Sequence, residues 1–90
     1  MTVKDDREQI HAVVRGFILN EFLLGETPDN LSDSTRLISG GIVDSVGVTR
    51  LVLFLEDRFG VEIQTAEVNA DYLDTVDLIV NMVAEKLAIK

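Results

Sequence analysis

Apolar residues recur at helical spacing in three separate segments of this sequence, and this periodicity constrains the fold more than any other feature. The segments are separated by residues that end helices or begin turns, and no alternation with a period of two residues persists. A chain of 90 residues has room for one hydrophobic core. The pattern therefore predicts a single all-α domain over residues 1–90.

The spacing predicts a four-helix bundle with a long first loop and a short third helix, the helices covering approximately residues 6–24, 45–59, 66–71 and 75–88. Asp6 and Gln9 resemble a capping box at the start of the first helix. Thr65 is the predicted cap of the third helix, and either Asp74 or Thr75 caps the fourth.

The first loop, residues 25–43, is rich in turn-forming residues. Gly25 and Pro28 mark the end of the first helix. Loops of this length are uncommon in compact domains and are usually functional. We expect this loop to be ordered, with disorder as the alternative, because four apolar side chains can hold it against the core: Leu31, Leu37, Ile38 and Ile42.

The second helix has one apolar face that we expect to be buried, formed by Val48, Leu51, Val52, Leu55 and Phe59. The aromatic residues are expected to lie mostly in the core: Phe17, Phe22, Phe54, Phe59 and Tyr72. Since the inner face of the second helix is already filled, either Leu53 or Phe54 is expected outside, as an apolar contact for a partner.

Composition excludes several classes of function. The chain has 16 acidic and 8 scattered basic residues, a net charge of −8, which is unsuited to nucleic acid and suited to basic partner proteins. Without cysteine it has no disulfide and no thiolate of its own, so thiol chemistry would need a cofactor. No signal peptide is apparent, and the longest apolar run, Leu51–Leu55, is too short to span a bilayer. We expect a cytoplasmic monomer.

Ser45 follows Asp44 and a glycine-rich turn, and it stands at the predicted start of the second helix. A hydroxyl at this position points out of the first turn, and a helix N-terminus favours a phosphate ester. The glycines before it, Gly40 and Gly41, let the backbone bend close beneath an approaching enzyme. The alternative is that Ser45 only helps Asp44 to start the helix.

The residues do not favour a catalytic or metal site. Val43 occupies the place of the first glycine of a hydrolase nucleophile elbow. His11, the only histidine, lies among apolar residues of the first helix, where a partly exposed structural role is expected. The first loop lacks the glycine and the glutamate that a calcium-binding EF-hand loop requires. We therefore expect neither an enzyme nor a metal protein.

The stretch from Leu37 to Ile63, with Asn69–Ile79 after it, resembles acyl carrier and peptidyl carrier proteins, and the resemblance extends over roughly residues 6–88. It implies that Ser45 is esterified with 4'-phosphopantetheine, with Asp44 in support, giving a phosphoprotein whose added thiol holds an acyl or aminoacyl thioester. It also implies three kinds of partner: a phosphopantetheinyl transferase, a loading ligase and downstream acyl-using enzymes. The implied partner contacts are Val46, Arg50 and Leu53.

The sequence departs from fatty-acid carriers along the second helix. Val46 stands where most carriers have Leu or Met, and Gly47 and Arg50 occupy positions that are acidic in fatty-acid carriers. These departures do not favour a fatty-acid carrier, and the Gly-Ile-Val-Asp-Ser-Val-Gly stretch of residues 41–47, with Tyr72 before Asp74 and Thr75, resembles D-alanyl, aminoacyl and peptidyl carriers more closely. The cargo is left open among fatty acyl, amino acid and polyketide-type groups. A helical interaction module without a prosthetic group is the alternative function.

Overall fold

The computed structural model describes residues 3–23, 25 and 31–87. Its elements in chain order are α1 (Val3–Phe22), α2 (Ser45–Phe59), a 3₁₀ turn (Thr65–Glu67), α3 (Ala70–Leu73) and α4 (Val76–Lys86). The residues that the structure describes contain no β-strand. The predicted all-α fold, with four helices, a long first loop and a short third helix, is confirmed.

The core forms where α1 packs against α4, with α3 packed against α4 and against the 3₁₀ turn. Every α-helix and the connections between them contribute buried apolar side chains: Ile10, Val14, Ile18, Leu31, Leu37, Val43, Leu51, Leu55, Ile63, Leu73, Val76, Ile79, Val80, Met82, Val83 and Ala84. The spacing within α1 and α4 is the helical spacing of the sequence. On α2, Leu51 and Leu55 are fully buried, whereas Val48, Val52 and Phe59 are half-buried at the edge of the core.

The described part of the first loop is held against this core. Leu31, Leu37 and Val43 are buried, and Ile38 and Ile42 pack against the buried cluster. The expectation of an ordered loop is confirmed for residues 31–43, and Pro28 lies outside the described residues.

Two expectations for α1 are corrected. The helix begins at Val3, three residues before Asp6, so Asp6 lies inside the helix and the predicted capping box is wrong. The helix ends at Phe22 and not at residue 24, and Leu23 N donates a hydrogen bond to Leu19 O at 3.3 Å.

The third helix is shorter than predicted and begins later. Thr65 does not cap it: residues 65–67 form the 3₁₀ turn, which Gln64 precedes as the capping residue. α3 starts only at Ala70, because Asn69 is extended and its side chain accepts a hydrogen bond from Asp71 N at 2.8 Å. A cap within the predicted segment therefore splits it in two.

The short α3 buries Leu73 and leaves Tyr72 outside, with 43% of its surface exposed. The expectation of a core tyrosine is thus wrong. Of the two candidates for the α4 cap, Thr75 takes the role, accepting a hydrogen bond from Leu78 N at 3.1 Å. No helix in the described part of the chain is long and apolar enough to cross a membrane.

Candidate functional site

Ser45 is the first residue of α2, and Asp44 is its N-cap. The Asp44 carboxylate accepts a hydrogen bond from Gly47 N at 2.8 Å, and its carbonyl accepts one from Val48 N, also at 2.8 Å. Asp44 therefore satisfies amide groups of the first turn, as the sequence predicts. Because Asp44 does the capping, Ser45 is not needed for it, and Ser45 is exposed to solvent.

The turn before Ser45 depends on its two glycines. Gly41 has φ of +82°, a conformation that other residues rarely adopt. A Cβ atom on Gly40 would lie only 2.2 Å from the carbonyl oxygen of Arg36. Hydrogen bonds from Gly41 N to Ile38 O (3.1 Å) and from Val43 N to Leu37 O (2.9 Å) close this turn. The glycines thus have a local conformational role, and their use by an approaching enzyme stays a prediction.

Asp74, which lies between α3 and α4, holds the same loop by hydrogen bonds to residues 38 and 39. Its Oδ1 accepts hydrogen bonds from Ile38 N and Ser39 N, both at 2.8 Å, and its Oδ2 accepts one from Ser39 Oγ at 2.7 Å. These bonds favour the ionised carboxylate, so the Ser39 hydroxyl and the amides of Ser39 and Ile38 hold the pKa of Asp74 below its ordinary value. Sequence reasoning considered Asp74 only as a helix cap and missed this role.

Gly47 is buried beneath the first turn of α2, and not on its outer face. A Cβ atom on Gly47 would lie 2.8 Å from Phe22 Cε1 and 2.9 Å from Val43 Cγ1. The end of α1 can therefore approach the start of α2 only because Gly47 has no side chain. The Phe22 ring therefore lies where a side chain at position 47 would otherwise point.

The three predicted partner contacts form one exposed strip along α2, which we call the α2 strip: Val46, Arg50 and Leu53. Val46 is 67% exposed and Leu53 is 60% exposed. The Arg50 side chain is 64% exposed and lies 3.4 Å from the Glu21 carboxylate of α1. Successive members are separated by four and three residues, which places them on one helical face. The structure thus brings the three predicted residues together on the surface.

Of the pair Leu53 and Phe54, the structure places Leu53 outside. Phe54 is half-buried and stacks on Phe17, with ring centroids 4.0 Å apart and an angle of 13° between the rings. Among the acidic residues of this helix, Asp57 is exposed, whereas Glu56 accepts a hydrogen bond from Ile63 N at 3.0 Å. The α2 strip itself consists of two apolar side chains and one guanidinium, and the exposed Asp57 lies one helical turn beyond Leu53.

A shallow groove of about 290 Å³ lies beside Ser45. It is lined by Ile38, Ser45, Val48, Thr49, Val68 and Asn69. Its walls combine apolar surface from Ile38, Val48 and Val68 with the Thr49 hydroxyl one helical turn beyond Ser45. Val68 and Asn69 were missed at the sequence level, because only the folded chain brings the segment before α3 next to α2.

His11 has a structural partner away from Ser45. Its Nε2 lies 2.7 Å from Asp33 Oδ1, and the side chain is partly exposed, as expected. Asp33 is further held through its carbonyl, which accepts a hydrogen bond from Asp77 N at 3.1 Å. His11 thus links α1 to the first loop. In the described ranges, 3–23, 25 and 31–87, no three His, Asp or Glu side chains form a group that could hold a metal ion.

Comparison with known proteins finds relatives that are carriers. The chain is 29% identical over 68 residues to the D-alanyl carrier protein of Streptococcus gordonii, covering 76% of this chain and 84% of that protein. It is also 29% identical over 86 residues to the acyl carrier protein of Chlamydia muridarum, covering 96% and 97%. No family model matches the chain. These homologues confirm the resemblance to carrier proteins, and their names are those of carriers and not of enzymes.

Proposed function

We propose that this chain is a discrete, single-domain carrier protein that holds an acyl or aminoacyl group on a 4'-phosphopantetheine arm attached to Ser45. The observation that carries the proposal is an exposed serine at the first position of α2, freed from capping by Asp44. The homologous carriers support it over most of the chain length.

The residues around Ser45 fit such an attachment. The hydroxyl is open to a transferase, and the helix dipole at the start of α2 favours the negative charge of a phosphodiester. The adjoining groove offers apolar walls and the Thr49 hydroxyl to a flexible amide-containing arm. When bound, the arm supplies the thiol that a chain without cysteine lacks.

The proposed partners act in sequence: a phosphopantetheinyl transferase, a ligase that loads the thiol, and enzymes that use the loaded group. The α2 strip, Val46, Arg50 and Leu53, is the proposed contact for them. An exposed guanidinium between two apolar side chains favours a partner with a carboxylate beside an apolar pocket. The D-alanyl carriers among the relatives favour an aminoacyl cargo. We propose a cytoplasmic monomer.

The test is the intact mass of the purified protein before and after incubation with coenzyme A and a promiscuous phosphopantetheinyl transferase. We expect the parent chain to gain one phosphopantetheine and Ser45→Ala to gain none, because only the exposed hydroxyl at the start of α2 is presented for modification. Ser34→Ala is the matched control, since Ser34 is also exposed but lies in the first loop. It should gain the same mass as the parent.

No mass gain on the parent would contradict the proposal. The chain would then be better described as a helical interaction module, for which Ser45→Ala should leave partner binding unchanged. A mass gain on Ser45→Ala would instead show that another hydroxyl is the attachment site.

A further inference from the structure

Asp74 occupies the corner where α3 ends and α4 begins. It is the residue after α3, and its backbone is helical, with φ of −75° and ψ of −21°. The adjacent Thr75 caps α4 through its own side chain. The carboxylate of Asp74 is therefore not needed at the helix end and turns to the first loop.

Four hydrogen bonds join this corner to three consecutive loop residues. The Asp74 carboxylate accepts hydrogen bonds from the amides of Ile38 and Ser39 and from the hydroxyl of Ser39. Its backbone carbonyl accepts a hydrogen bond from Leu37 N at 2.6 Å. Hydrogen bonds to an ionised carboxylate are stronger than those between neutral groups. Asp74 is thus the main polar tie between the α3–α4 corner and residues 37–39.

The same loop residues continue directly to Ser45. Leu37 O accepts the amide of Val43 at 2.9 Å, and both side chains are buried. Val43 is followed by Asp44, the cap of α2, and then by Ser45. One hydrogen bond and two peptide bonds therefore connect Leu37 to Ser45 at the start of α2.

Asp74 is also connected, through Ile38, to the groove beside Ser45. The Ile38 amide donates a hydrogen bond to Asp74, and Ile38 lines this groove on one side. Val68 and Asn69 line it from the segment that leads into α3. Asp74 therefore holds the backbone of one residue that lines the groove.

We propose that Asp74 is a positioning residue, which holds residues 37–45 so that Ser45 is presented to its modifying enzyme. This inference rests on the proposed function of Ser45. Asp74 does not touch the reacting hydroxyl, and it acts through the loop. The α2 strip is on the outer face of α2, away from these bonds, so docking of the transferase should not depend on Asp74.

The test compares kcat and KM of a promiscuous phosphopantetheinyl transferase with each apo chain as the varied substrate. The series is Ser39→Ala, Asp74→Asn and Asp74→Ala, at a temperature where circular dichroism shows each chain to be folded. We expect Asp74→Ala to lower kcat about tenfold to a hundredfold with little change in KM, because a misplaced hydroxyl slows the reaction without weakening docking. Asp74→Asn, which keeps an acceptor for the amides, and Ser39→Ala should have smaller effects.

Asp77→Asn is the matched control, because it removes an exposed carboxylate from the first turn of α4, three residues beyond Asp74. It should leave kcat unchanged. Amide hydrogen exchange provides a second readout: Ile38 and Ser39 should lose protection in Asp74→Ala and keep it in the control.

Equal kcat for the parent and Asp74→Ala would overturn the inference while modification of the parent still supports the proposed function. Failure of the parent to be modified would instead overturn the proposed function, and this inference with it. If Asp74→Ala does not fold, Asp74→Asn and Ser39→Ala decide, and unchanged kcat in both would overturn the inference.

Discussion

At the scale of single residues, Gly47 shows how closely the first turn of α2 is packed beneath Ser45. Its missing side chain leaves space for the Phe22 ring and for Val43, and its amide donates to the Asp44 cap. Three parts of the chain, the end of α1, the first loop and the start of α2, thus meet at this residue. Gly16 offers a contrast, because a Cβ built there would have no neighbour within 4 Å beyond the adjacent residues and the backbone of its own helix.

We predict opposite effects on the free energy of unfolding for alanine at these two glycines. Gly16→Ala should stabilise the protein by roughly 0.5–1 kcal/mol through helix propensity. Gly47→Ala gains the same propensity but must displace Phe22 and Val43, and such overpacking typically costs about 1–3 kcal/mol, so a net loss is expected. Urea unfolding of both variants measures the difference. Equal stabilisation would show that the Phe22 ring moves aside without cost.

At the scale of elements, α2 has one face buried in the core and one face exposed to solvent. Leu51 and Leu55 are buried, whereas the α2 strip of Val46, Arg50 and Leu53 is exposed. The Arg50–Glu21 ion pair lies on the surface, and such pairs contribute about 0–1 kcal/mol. Arg50 is therefore available to a partner at little cost to the fold.

We predict that Arg50→Glu slows loading of the modified chain by its native ligase while leaving the fold intact. The substitution reverses the charge at the centre of the α2 strip, where a complementary partner would place a carboxylate. Arg58→Glu is the matched control, because it makes the same charge change on the same helix outside the strip. Loading rates and thermal unfolding of both variants are the measurements. Unchanged loading of Arg50→Glu would show that Arg50 is not a contact.

At the scale of the whole molecule, two carboxylates hold the connections between helices. Asp74 fastens the first loop, and Glu67 joins the 3₁₀ turn to α4 by accepting from Lys86 Nζ at 2.7 Å. The hydrogen bond from Lys86, followed by that from the Gln64 amide, holds the pKa of Glu67 below its ordinary value. The pKa of Asp74 is lowered as well, chiefly by Ser39.

A lowered pKa in the folded state means that the unfolded chain binds protons more readily, so each group stabilises the fold above its unfolded pKa, about 4 for carboxyl groups. This contribution is lost as the pH falls through the folded pKa. We predict that the double variant Glu67→Gln/Asp74→Asn is less stable than the parent at pH 7 and that the difference shrinks towards pH 3. Urea unfolding of both chains at several pH values measures this difference. A difference that persists undiminished at pH 3 would contradict this assignment.

The sequence by itself determined the features that depend on neighbours along the chain. α2 begins at Ser45 and ends at Phe59 as predicted, because the Asp44 cap and the helical spacing of Leu51 and Leu55 are local signals. The exposure of Ser45 follows from the same local signals, whereas the choice between Leu53 and Phe54 as the exposed side chain depends on the stacking of Phe54 on Phe17.

The tertiary structure alone decided between options that look equal along the chain. Asp74 and Thr75 are both good N-cap residues, and Thr75 caps α4. Asp74 instead binds the amides of Ile38 and Ser39, because the folded chain places the first loop beside it. Likewise, Gly47 is buried because Phe22 packs on it, and Val68 and Asn69 reach the groove beside Ser45 from the segment before α3. Caps and periodicity arise from contacts a few residues apart, whereas these contacts join residues more than twenty positions apart and form only when the helices pack.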